Sequence, residues 1–132
     1  MNDVLTLLVG STFTVTITPA KTFFPLSELE DIIGTMVNIF PGPDSWERVS
    51  RADWHRDITI NLGVKAQVSE ADLETELANL ATLCEELKDA VKGQRFDGMP
   101  VQLIEQDEPY DQDLLHTEGV FSAIITLTMK AV

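Results

Sequence analysis

The chain is short of basic residues, of cysteine and of long apolar runs. Nine Lys and Arg stand against 22 Asp and Glu, a formal net charge of −13 at pH 7. A surface of that sign repels phosphates and gains nothing from counterion release, which excludes tight binding of duplex DNA. The single cysteine, Cys84, excludes an intrachain disulfide framework and a cysteine-based zinc site. No apolar run reaches the ~20 residues of a membrane span, and no charged segment leads into an apolar one at the start. A soluble chain, not secreted by a standard route, is therefore expected. Repeats, low-complexity tracts and a Pro/Gly/Ser linker are also lacking, so residues 1–132 are read as a single domain.

The chemical motifs are as sparse. There is no G-x-S-x-G, no phosphate loop and no G-x-G-x-x-G. The only histidines, His55 and His116, have no second histidine or cysteine at ligand spacing. His55 lies between Asp53 and Asp57, where a carboxylate can orient a general base. No nucleophile with a local motif accompanies it, so a polar residue at a strand entrance is the preferred reading. The expectation is no catalytic residue, no cofactor and no metal.

What is present is hydrophobic periodicity. Ile58, Ile60, Leu62, Val64, Ala66 and Val68 alternate with Asp57, Thr59, Asn61, Gly63, Lys65 and Gln67, the pattern of a strand with one dry face. Ser69 follows as an expected N-cap, and Leu73, Leu77, Leu80, Cys84, Leu87 and Val91 recur at helical spacing. Lys88, Lys92 and Gly93 make the stop signal, which predicts one amphipathic helix over 70–92 with Cys84 in the core. Further strands are expected at 12–17 (Phe13, Val15 and Ile17 alternating with threonine), 35–40, 100–106 and 120–130. Pro19 and Pro25 bracket a connection, with helical turns over 27–33, and residues 1–10 suit a short helix or an apolar arm. The fold class is α+β: a mostly antiparallel sheet of about four to five strands with one long helix on one face, in the order β-β-β-α-β-β.

Two segments stand out from this frame. The stretch 42–55 has no period and reads as a long loop, and with Arg56 it gathers Trp46, Arg48, Arg51 and Trp54. Stacking and positive charge suit a nucleic acid, but the overall charge opposes it. Arg and Trp also anchor protein interfaces, and that reading is preferred. The acidic connection 105–118 holds Glu105, Asp107, Glu108, Asp111, Asp113 and Glu118 with no Lys or Arg among them. Their order does not match a calcium loop, and a solvated face that meets a basic patch or repels an anion fits better.

The segment from Ser50-Arg51 through Asp57-Ile-Thr-Ile-Asn-Leu-Gly63-Val64 resembles a strand motif of tail terminator (tail completion) proteins of tailed bacteriophages and prophages. Asp107-Glu-Pro109-Tyr110-Asp111-Gln-Asp-Leu114, followed by Phe121-Ser122-Ala-Ile-Ile-Thr126-Leu127-Thr128, resembles the close of the same proteins. Glu108 before Pro109 and Met129 in place of an aromatic depart from the pattern. The resemblance implies a virion structural protein at the neck, not an enzyme. Such proteins form a ring, hexameric in the family, that caps the tail tube and joins it to the head connector. DNA passes through the lumen without specific binding, and assembly takes place in the host bacterial cytoplasm. Another neck or completion protein is the nearest alternative, and a monomeric protein-binding adaptor is the alternative of a different class. If the ring reading holds, Trp46, Arg48, Arg51, Trp54 and Arg56 are expected at a subunit or partner interface. The acids of 105–118 are then expected to face them or the lumen.

Overall fold

The computed structural model describes residues 2–13, 15–21, 34–42, 45–48, 54–69, 71–96 and 99–131. Its centre is a ladder between two long antiparallel strands, β4 (Trp54–Gln67) and β7 (Val120–Ala131), paired from Arg56↔Ala131 to Gln67↔Val120. This register sets Ile60 opposite Leu127, Leu62 opposite Ile125, Val64 opposite Ala123 and Ala66 opposite Phe121, so the apolar sets of both strands share one face. β2 (Thr35–Pro41) adds Val37 opposite Val64 and Ile39 opposite Leu62 on that face. All of these side chains are buried.

The remaining strands widen the sheet on both flanks. β1 (Ile17–Lys21) pairs parallel with β2, and β3 (Ser45–Arg48) pairs antiparallel with the start of β4. On the other flank lie β6 (Met99–Glu105) and the two-residue β5 (Arg95–Phe96). The order across the sheet is β1-β2-β4-β7-β6-β5, with β3 beside β4. The described residues also form three helices: α1 (Asn2–Gly10), α2 (Leu73–Val91) and α3 (Gln112–Glu118), of which only α2 is long.

The dry face is covered by α2, through Leu80, Leu83, Cys84, Leu87 and Val91, and by Val4 and Leu8 of α1. The opposite face of the central strands is polar and half-buried: Thr59, Asn61, Lys65, Ser122, Thr126 and Thr128. There the Thr126 hydroxyl donates to Asn61 Oδ1 at 2.8 Å.

The α+β class and the mostly antiparallel sheet are as the periodicity predicts, but the expected order β-β-β-α-β-β with four to five strands is not: the described elements run α-β-β-β-β-α-β-β-α-β, with seven strands in the sheet. The first strand begins at Ile17 rather than residue 12. Phe13 and Val15 do pack against the core, yet β2 offers backbone partners only for residues 17–21. Pro19 therefore sits within a strand, which an edge position tolerates. The helical turns expected over 27–33 lie outside the described residues. α2 starts three residues after the expected point. Ser69 does not cap it; instead the Ser69 N–H donates to Glu76 Oε2 at 2.7 Å, and the residue before the helix, Asp72, makes no side-chain cap. In β6 the register slips between Val101 and Leu103, which brings Val101 and Ile104 both toward the core and leaves Leu103 exposed.

Of the expected loop 42–55, residues 45–48 and 54–55 are strand, and 43–44 and 49–53 lie outside the described residues. Pro41 pairs with Ile60 and Ser45 with Asp57, so β2 and β3 lie on the same flank of β4. After β2, Gly42 is held close to β4. Its N–H donates to Thr59 O at 2.8 Å, and a Cβ there would stand 2.7 Å from Thr59 Cγ2. A Gly42→Ala change should therefore lower stability by about 1–3 kcal/mol, measured by urea unfolding. Adding Thr59→Ala, which removes the obstructing methyl, should restore most of the loss.

Candidate subunit interface

The Arg/Trp-rich segment is a β-hairpin whose ladder puts Trp46 opposite Arg56, Glu47 opposite His55 and Arg48 opposite Trp54. Four of the five expected interface residues are thus brought into one two-stranded ladder. Arg51, between the strands, lies outside the described residues. Sequence pattern missed β3 because Ser-Trp-Glu-Arg has no apolar alternation to register.

The acidic connection is built differently. β6 ends at Glu105, opposite Thr126, and the chain turns through Asp107 and Glu108 before entering α3. Asp111 is the N-cap: its Oδ1 accepts from the Leu114 N–H at 3.1 Å, and its own N–H donates to Ser122 O at 2.8 Å. The Tyr110 ring packs on Phe121 with centroids 5.6 Å apart, and Gln106 Nε2 donates to Pro109 O at 3.1 Å. α3 ends in Gly119, whose φ of 66° suits the left-handed closing residue of a helix. The connection expected to be irregular therefore contains a short helix, and Asp111 and Gly119 were its legible signals. Glu105, Asp107, Glu108, Asp111 and Asp113 are all exposed, while Glu118 closes α3.

The two charged segments sit on opposite flanks of the central ladder. The hairpin continues the β2 side, and the acidic turn follows β6 on the β7 side. Within one chain the sheet holds them apart, so a contact between them has to join two copies.

The two histidines lie on separate elements. His55 occupies a register position opposite Glu47, and His116 is exposed on α3 beside an open cleft of about 780 Å³ lined also by Val68, Leu73 and Tyr110. Among the described residues no group of three His, Cys, Asp or Glu side chains is placed to hold a metal ion. No described helix is long and apolar enough to cross a membrane.

Cys84 is buried on α2 as its spacing predicts, and burial pushes its thiol up to about 11. Three large apolar side chains missed by periodicity are exposed: Val9, Leu103 and Ile124. Ile124 was visible as an apolar residue in the polar half of the 120–130 alternation. No family model matches the chain, and no curated protein matches it.

Two outcomes follow from these positions. Removing the cap with Asp111→Ala should cost about 1 kcal/mol in denaturant unfolding and raise hydrogen exchange over 112–118. Folding holds the Cys84 thiol protonated, so its contribution to stability is complete below the ordinary thiol pKa and lost as pH rises toward about 11. Native protein at pH 8 should accordingly react with a thiol reagent far more slowly than the urea-unfolded chain.

Proposed function

We propose that this chain is a virion structural protein, a tail terminator whose copies form a ring on the end of a phage tail tube. The ring ends tube polymerisation and offers a surface to the head connector, and the genome passes through its lumen. The observation that carries the reading is the coincidence of sequence and topology. The two segments that resemble tail terminators fall mainly on β4, on the turn into α3, and on β7, and β4 and β7 are neighbours along their full paired length.

The quoted residues also have identifiable work. Gly63 lies opposite Ile124 and under the Phe40 ring, where a Cβ would come within 3.1 Å of Phe40 Cε1. Tyr110, Asp111 and Ser122 pin the turn that leads back into β7.

The charge distribution supports the same function. A strongly acidic ring leaves a duplex free to slide, because the lumen repels phosphates rather than trapping them. A closed ring of identical copies needs two different patches on each subunit. Arg48 and Arg56 of the hairpin, on one flank of the sheet, offer individual partners for the acids of the turn on the other.

The test is to add purified chain to uncapped tail tubes and then supply more tube subunit. Electron microscopy should show a ring at one end of each tube and no further extension. Arg48→Glu with Arg51→Glu should abolish both. Tubes that keep growing in the presence of the wild-type chain would overturn the reading.

A further inference from the structure

Resting on the ring reading, we infer that an open depression beside Ile124 is a socket for an arginine side chain of the next copy, supplied by that copy's β3–β4 hairpin. The depression holds about 300 Å³ and lies between the turn after β6 and the middle of β7. Asp107, Glu108 and Tyr110 line it from the turn, and Ser122, Ile124 and Thr126 from the strand. Ile124 is 47 % exposed.

The edge of β7 is bare at this point. Backbone groups along a strand point alternately to its two flanks. Ser122 O accepts from the Asp111 N–H on the β6 flank, and Thr126 stands opposite Glu105 on that flank. Ile124, midway between them, therefore turns its own N–H and C=O toward the depression. Among the described residues neither group has a backbone partner on that flank, because β6 ends at Glu105 and the chain returns to β7 only at Asp111.

The chemistry of this notch selects its occupant. It is a single residue long and bounded at both ends by the chain's own contacts, too short to accept a strand. Its acceptors are the Ile124 carbonyl and the exposed carboxylates of Asp107 and Glu108, and its apolar surface is Ile124 and the Tyr110 ring. A guanidinium is planar, presents five N–H donors and rides on an apolar stem that Ile124 can cover. An ammonium is a more strongly hydrated point charge with fewer donors, and fits less well.

The source of the arginine is a second copy. The sequence has four arginines, and Arg48, Arg51 and Arg56 are in or beside the β3–β4 hairpin. The register sets Trp46 opposite Arg56 and Arg48 opposite Trp54, so positions 46, 48, 54 and 56 share one face of the hairpin. Glu47 and His55 occupy the other face, so the basic and aromatic positions are grouped apart from the one acidic residue of β3. The hairpin follows the β2 flank of the sheet and the depression the β6 flank, which holds them apart within one chain. Joined between copies they make a head-to-tail contact, the kind that closes into a ring. An apolar centre with a charged rim is also the usual anatomy of a protein interface.

The experiment uses the full chain, a socket variant (Asp107→Lys with Glu108→Lys), a hairpin variant (Arg48→Glu with Arg56→Glu) and the combination of the two. Circular dichroism and thermal unfolding are the controls on folding, and Arg48→Glu alone replaces the hairpin change throughout if the double change does not fold. Wild-type chain should form a closed assembly by analytical ultracentrifugation. The socket variant and the hairpin variant should each raise the concentration for half-assembly by about a hundredfold. The combined variant, with both signs exchanged, should recover about tenfold or more of that loss. Ile124→Ser, which keeps every charge, should raise the half-assembly concentration by about tenfold.

Socket and hairpin variants that assemble like the wild type, or a combined variant that recovers nothing, would overturn this contact and leave the ring reading standing. A wild-type chain that remains a single copy at millimolar concentration would overturn both.

Discussion

Everything in this molecule hangs on the register between β4 and β7. Side chains alternate along a strand, so a slip of β7 by one residue would turn Phe121, Ile125, Leu127 and Met129 out of the core together. Burying such a side chain is worth about 1.5–3 kcal/mol, so the slipped register would lose about as much as the ~5–15 kcal/mol by which a domain is stable. The correct register sets those residues under α2 and α1 and turns Thr59, Asn61, Thr126 and Ile124 to the opposite face. It also decides where the charged segments go. With β4 and β7 locked, the hairpin must follow the β2 flank and the acidic turn the β6 flank.

From that separation the interface account follows. A chain that carries Trp46, Arg48, Trp54 and Arg56 on one flank and its densest acids on the other is chemically polarised across the sheet. Polarity of this kind favours repetition in one direction, from copy to copy, over face-to-face pairing. Strand β6, near one edge, carries a register slip, a device that disfavours indiscriminate edge pairing.

How much of this was legible in the sequence depended on whether burial left a period behind. β4, β7 and α2 each bury one face against the core, and their alternation and stripe placed them to within a few residues. β1 was shifted because its apolar alternation starts earlier than its backbone partners do: Phe13 and Val15 pack on the core without joining a ladder. β3 left no signal, since Ser-Trp-Glu-Arg holds a single apolar residue and therefore no alternating set. The short helix α3 was hidden by the reading of Asp111, Asp113 and Glu118 as a charge cluster, although Asp111 and Gly119 are its caps. The same holds for the candidate site. Composition picked out the Trp and Arg residues, but the pairing of Trp46 with Arg56, and the flank on which both sit, are properties of the folded sheet.

The central claim is that this acidic subunit associates with copies of itself in one direction and closes. The most direct measurement is the native mass of the purified chain over a range of concentration and salt. The account predicts a single assembly of fixed copy number, with no open-ended growth. A distribution of ever longer polymers, or a two-copy species that never enlarges, would contradict it.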